Sequence, residues 1–490
     1  MIQNHQAIVD AKAKFRETAE AGGKIGIWGS EATGYPVVTM QLTSMKETFW
    51  QTEDLSACDD AEILFICKNS YTDEELEVLT KYSEAGMTLF FTRIPSQKEL
   101  ANSRLKELLG ISAHIGRTKK LGIRFTEDMM FGTILENEQI FYMDSISLKQ
   151  QTEVYAAALE DEDVKDEELT PMFWRYQKDG SYASVYVAAE KLMEESSGYA
   201  LVSFLFTDLN TVYMYPVVNA YCFIVSGMPY IEAYDSDYLK EQYERGSMGV
   251  QNDIFFPEIR RCEERYGVRT TWYGEDKDIL SESKDAMLLY YLNEIEEQRG
   301  ELGSIKAPSM DQSVDSPFDN KLSEWSSSYM WFDADSKKVI IPYHSLQNET
   351  YENAVFYDYG MGKGLGFCSV YIDVEAFLEE KNSEDQDEWI DFCRTMETVI
   401  GIETKDLSWL ERMTVGEAIY RIQSFYMIEP DIVYSDSQID VNIKNFTDKA
   451  FFYLSMPEGN VIKAENALVT QIDDGFYLVE ARKEHIVLTY

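Results

Sequence analysis

Histidine is scarce in this 490-residue chain: His5, His114, His344 and His485 are the full set. None lies within four residues of another, so HExxH and every other paired-histidine helix are absent, and a histidine-rich zinc site is excluded. The six cysteines, Cys58, Cys67, Cys222, Cys262, Cys368 and Cys393, form no CxxC pair, which argues against a zinc ribbon or a disulfide scaffold. Cys67 and Cys222 stand in the apolar runs LFICKN and AYCFIV, where a thiol acts as a small buried hydrophobe. No GxSxG elbow, P-loop or GxGxxG turn occurs, which removes nucleophilic-serine, P-loop and dinucleotide chemistry. MGKGLG (361–366) leads into a strand and reads as a turn. GSEATG (29–34) has the small residues of a phosphate loop without its fingerprint, and Cys67 lacks the flanking glycines of a glutaminase nucleophile. No cofactor is expected.

The elements that must position any site fall into four stretches. In residues 1–115, apolar runs such as KIGIWG, AEILFIC and MTLFFTRI alternate with amphipathic segments, of which 71–86 is capped near Thr72 and closed by Gly86. That order predicts a flavodoxin-like parallel sheet. Residues 116–214 read as a β-rich domain, with YALVSFLFTDL among its strands, a hairpin turn at the DG of 179–180 and a solvated acidic loop at 160–168. Residues 215–430 return to α/β, starting with YPVVNAYCFIVSG as one long strand and interrupted by a Ser/Asp/Pro-rich link at 307–320. Residues 431–490 carry strand periodicity and predict a terminal β-sandwich. The whole is an α/β multidomain chain.

Charge limits the partners. With 87 acidic against 44 basic residues the net charge is −43, so nucleic acid and anionic membrane surfaces are repelled. The amino terminus lacks a signal-type apolar core and no run approaches a spanning helix, so no membrane insertion is expected of this chain. It is expected to be soluble, extracytoplasmic or at the cell surface if an export signal or anchor was removed, and cytoplasmic otherwise.

One stretch carries a family likeness. An apolar strand, a helix ending ERYGV and the strand RTTWYG (264–274) together resemble the start of NodB-like polysaccharide deacetylases. The resemblance implies a (β/α) barrel whose first strand ends in an acid pair, with an HxxxH motif following to hold zinc. Here Ile224 and Val225 stand near the place of the acid pair and no HxxxH follows, so the barrel is read as degenerate, without tight transition metal and without metal-dependent acetate release. The wider order, with LKELLGI (105–111), YIDVEAF (371–377), DEWIDFCRTMETVIG (387–401) and LSWLERMTVGEAIYRI (407–422), is similar to the bacterial domain-of-unknown-function family 2194, found at Pel-like exopolysaccharide loci.

A deacetylase-like barrel would keep a cleft at its carboxyl strand ends. Asp235, Asp237, Trp272, Tyr273, Tyr343, His344 and Asp373 are the candidate lining residues. For Trp272 and Tyr273 the competing reading is core packing, for His344 a structural hydrogen bond, and for Asp235 and Asp237 helix capping. The expected function is non-catalytic glycan binding or assembly in exopolysaccharide biosynthesis or export, on a polymer of cationic amino sugars and beside synthesis or export proteins. Two alternatives stay open: a metal-independent glycan hydrolase using two carboxylates, and a protein–protein scaffold.

Overall fold

Short, uniformly apolar runs set the first sheet. β1 (Ile25–Trp28), β3 (Ile63–Ile66) and β4 (Thr88–Phe91) are buried along their whole length, as strands covered on both faces must be. With β2 (Phe49–Thr52) they lie parallel in the order β2-β1-β3-β4. Helices Tyr35–Ser44 and Asp73–Glu84 make two of the crossovers. The second opens on a capping box: Thr72 Oγ1 accepts from Glu75 N, and the Glu75 carboxylate accepts from Thr72 N at 2.7 Å. Gly86, at φ +107°, lets the chain turn out of that helix into β4.

The computed structural model describes residues 25–126, 129, 134–160, 169–178, 183–194, 196–228, 237–274, 286–304, 321–324, 331–333, 338–347, 350–378, 388–457 and 462–490. The expected turn at 179–180, most of the acidic loop, the 307–320 link and Asp235 lie outside them. The described residues form two compact units. One is built from the chain up to Val217, Tyr359–Leu365 and Ile428–Tyr490, the other from Val218–Asp358 and Gly366–Met427. No helix among the described residues is long and apolar enough to cross a membrane.

In the first unit the opening sheet runs through residue 115, where a domain boundary was expected. β4 pairs parallel with β9 (Val185–Ala188). Beyond it β8 (Thr170–Tyr176), β7 (Thr152–Leu159), β5 (Ile111–Phe125) and β6 (Leu135–Leu148) follow antiparallel, completing nine strands. One core joins both halves: Trp28, Ile66 and Leu89 pack in the same cluster as Ile146 and Trp174.

Three local expectations are corrected here. YALVSFLFTDL is the body of a helix, Ser197–Leu209, buried over almost its full circumference; such a run has no polar face to reveal its period. The predicted long strand at 215–227 breaks at Asn219, which is left-handed at φ +59°. It becomes β10 (Tyr213–Val217) and β11 (Ala220–Ser226), in different sheets. MGKGLG falls mostly within the last turns of helix Tyr351–Leu365. A Cβ on Gly364 would lie 2.5 Å from Tyr199 Cβ, so this glycine serves close packing, not a turn.

The same unit contains the β-sandwich. β10 pairs with β20 (Ala450–Ser455), followed by β23 (Phe476–Ala481) and β22 (Ala467–Asp473). The facing sheet runs β18 (Glu429–Ser435), β19 (Gln438–Lys444), β24 (His485–Thr489), β21 (Lys463–Glu465). Phe452, Leu454 and Val479 meet Ile439, Val441 and Ile486 in one core.

The second unit holds a seven-stranded sheet. Its order is β13 (Glu301–Ser304), β12 (Thr270–Gly274), β11, β17 (Phe367–Asp373), β16 (Lys338–Ser345), β14 (Lys321–Glu324), with β15 (Trp331–Asp333) antiparallel on β16 and the other ladders parallel. Among the described residues the expected barrel is an open sheet: β13 and β14 each pair on one side only, and no ladder joins them. The register puts Cys222, Ile224 and Ser226 on one face with Ser369, Tyr371 and Asp373, and Tyr221, Phe223 and Val225 on the other with Cys368, Val370 and Ile372. Helix Val415–Met427 covers the first face, where Val415 N donates to Thr271 Oγ1 at 2.8 Å. Helices Phe256–Tyr266 and Glu388–Asp406 cover the second.

Candidate functional site

Because β11, β12, β16 and β17 are parallel, their carboxyl ends share one edge of the sheet, the place where open α/β sheets present ligand-binding groups. Ser226 and Asp373, the last residues of β11 and β17, are register partners. Tyr371, two residues before Asp373, shares its face. The Ser226 and Tyr371 hydroxyls are 2.5 Å apart, and Ser226 Oγ also donates to Asp373 Oδ1 at 3.2 Å. The same carboxylate oxygen accepts from Glu375 N at 3.1 Å. Gln347 Nε2 donates to the Asp373 carbonyl at 2.9 Å, while its Oε1 accepts from Ser345 Oγ at 2.8 Å. The Tyr343 ring lies on that of Tyr371, centroids 4.3 Å apart and planes 30° from parallel.

Tyr343, Tyr371, Asp373, Ser345 and Gln347 are all half-buried, so the network meets solvent. Tyr273, the register partner of Ser226, lies on the same face of the sheet. It is fully buried, its hydroxyl makes no hydrogen bond, and burial first, then the acidic Glu301, pushes the phenol well above its ordinary range. Gly227, at φ +84°, turns the chain out of β11 so closely that an added Cβ would lie 2.7 Å from Glu375 N.

Two tyrosines in tilted ring contact, several hydroxyl and amide groups and a carboxylate can grip a polyhydroxylated ring, through its apolar face and its hydroxyls. They do not fit a hydrolytic zinc. That needs about three protein ligands, and among the described residues no such group gathers at this edge. Ile224 and Val225 are fully buried apolar side chains.

The candidates from sequence divide accordingly. Tyr273, Tyr343 and Asp373 come together at the edge. Trp272 points to the opposite face, fully buried against Phe256 at 5.4 Å. His344 also lies on that face, with Nδ1 3.4 Å from Asp358 Oδ2. Asp237 is exposed in the first turn of helix Asp237–Tyr243. Ser226 and Tyr371 were missed, although Tyr371 and Asp373 have the two-residue spacing that puts side chains on one strand face.

A second polar group lies on the His344 face. Asp358, Cys368 and Glu403 bring their ligand atoms within 4.8 Å of one another, all buried. Burial raises the Asp358 carboxyl; burial and then repulsion from Asp358 hold Glu403 well above the usual carboxyl range. No spacing announces this group, because its members come from two helices and a strand.

No family model matches the chain, and no curated protein matches it by sequence. Among solved structures it is similar to Agd3, described as a novel carbohydrate deacetylase, at TM-score 0.53 and 10% identity over 95% of this chain and 98% of that one. The chain has a deacetylase-like fold. Slighter likenesses are to α-L-fucosidase isoenzyme 2 from Paenibacillus thiaminolyticus (TM-score 0.30, 12% identity, 39% of this chain and 34% of that one) and to PurLQS from Thermotoga maritima (0.24, 12%, 38% and 97%). The fold comparison rests on Agd3 alone.

Proposed function

We propose that this chain is a non-catalytic carbohydrate-binding protein that holds a glycan at the carboxyl edge of its seven-stranded sheet. The observation that carries the reading is the Tyr343–Tyr371 pair standing beside the Ser226–Asp373 network, half-open to solvent. The deacetylase-like fold supports a carbohydrate ligand, and the lack of a ligand set at this edge among the described residues supports binding without metal-dependent acetyl hydrolysis. A net charge of −43 and the Asp373 carboxylate at the edge suit a polymer of cationic amino sugars. Exopolysaccharide production or export, with synthesis or export proteins as partners, and membership of family 2194 complete the proposal and rest on the residues that suggested them.

The test is a titration of the full chain with a partly deacetylated hexosamine oligomer. Binding is expected at low ionic strength and should weaken as salt is added. No binding at low ionic strength overturns the reading.

A further inference from the structure

The enclosed group on the opposite face of this sheet needs its own explanation. Asp358 comes from helix Tyr351–Leu365, Cys368 from β17 and Glu403 from helix Glu388–Asp406. Their exposures are 2%, 0% and 0%. His344 on β16 adds an imidazole, with Nδ1 3.4 Å from Asp358 Oδ2. Tyr221 Oη donates to Glu403 Oε2 at 2.8 Å, so the second oxygen, Oε1, is turned away from that bond. Glu403 Oε1 and Asp358 Oδ2 are both sealed from water, and among the described residues no donor from outside this group reaches either. Among the described residues, no lysine or arginine pairs with either carboxylate. Arg412 spends its guanidinium on the carbonyls of Thr404, Ser408 and Leu410.

Two buried carboxyls and a thiol gathered within 4.8 Å of one another, with no lysine or arginine beside them among the described residues, form a ligand set without a counter-charge. We infer that this pocket binds one zinc-class divalent cation through Asp358, Cys368, Glu403 and His344. The donor set selects the metal. A thiolate and an imidazole beside carboxylates suit zinc, whereas calcium and magnesium take oxygen ligands. Asp358, Cys368 and Glu403 are already gathered, and His344, beside Asp358 but outside that 4.8 Å group, would complete four ligands by closing on the ion, which leaves no open position and makes the site structural. It joins two helices to β16 and β17. Tyr221 is its positioning residue, fixing the orientation of Glu403.

Protons balance in simple terms. The cation enters, the thiol proton and any carboxyl proton leave for solvent, and thiolate, carboxylates and neutral imidazole ligate. The site is independent of the proposed glycan edge, because it faces the other side of the sheet and shares no residue with it.

The test uses the full chain equilibrated with zinc and freed of excess by gel filtration. About one zinc per chain is expected, with an X-ray absorption spectrum showing one sulfur at about 2.3 Å and the remaining ligands nitrogen or oxygen. Tyr221→Phe, which keeps the ring, should weaken zinc binding by about 10–100-fold. Cys368→Ser should remove the sulfur shell. Failure to retain zinc, or a retained zinc with no sulfur neighbour, overturns the inference. Both readouts are obtained on the unsubstituted protein, so a variant that does not fold leaves the test intact.

Discussion

Asp373→Asn separates ligand binding from fold maintenance. Asp373 Oδ1 accepts from Ser226 Oγ at 3.2 Å and from Glu375 N at 3.1 Å. An asparagine oxygen can accept both, so the substitution removes the charge while keeping the local acceptors. Stability should change by less than about 1 kcal/mol, the scale of one neutral hydrogen bond. Binding to an amino-sugar oligomer should lose a hydrogen bond to a charged group, roughly 1.5–3 kcal/mol, which at about 1.4 kcal/mol per decade is roughly a 10- to 150-fold rise in Kd. Asp373→Ala leaves the Ser226 hydroxyl and the Glu375 amide without this acceptor and should cost about 1–3 kcal/mol of stability in addition. Isothermal titration and urea unfolding on the three proteins supply both readouts. Equal oligomer affinity for wild type and Asp373→Asn would refute the assignment of this carboxylate to the glycan.

Three further substitutions probe the fold, two in the unit that carries the site and one in the other. Trp272→Ala removes a side chain with 0% exposure packed on Phe256 and should cost about 3–5 kcal/mol in urea unfolding; a loss below about 0.5 kcal/mol would be that of a surface residue and would contradict its core position. Gly227→Ala must hold φ +84° and bring a Cβ to 2.7 Å from Glu375 N, so it should lower Tm and weaken oligomer binding together, by at least the roughly 1–2 kcal/mol of a left-handed non-glycine residue; an unchanged Tm counts against the close approach. Burial pushes the Glu99 carboxyl up, but hydrogen bonds from Arg93 and Ser96 outweigh it and leave the group below its ordinary range. Its stabilisation is therefore full above the unfolded value near 4.3 and lost as pH falls through the folded value; Glu99→Gln should flatten that acid slope in unfolding free energy measured from about pH 6 down to about pH 3, and an unaltered slope would contradict the pairing.

What the sequence made legible follows its periodicities. The runs IGIW, ILFI and TLFF are continuous because both faces of their sheet are covered, and Thr72 with Glu75 announces a helix start through chemistry confined to four residues. Strand order was not legible. The pairing of β4 with β9 joins residues near 90 to residues near 186, and β10 pairs with a strand near 450; nothing local encodes either contact. Helix Ser197–Leu209 was hidden by its own burial, since a stretch buried on nearly every side shows no polar face at either the helical or the strand period. At the site, Tyr343, Asp373 and Tyr273 were reachable by asking what strand ends carry. Ser226 was obscured because the acid pair was sought at Ile224 and Val225, one residue short of the strand's end. Asp358, Cys368 and Glu403 carry no mutual spacing, so only the folded register unites them.

The most direct test of the glycan-edge reading is hydrogen exchange of the full chain, read by mass spectrometry, with and without a saturating amino-sugar oligomer. The predicted result is slowed exchange in peptides covering 226–228, 343–347 and 371–375, with the β-sandwich strands from 429 onward unchanged. Saturated binding that leaves those three segments unprotected and slows exchange elsewhere would place the glycan at another surface and contradict the account.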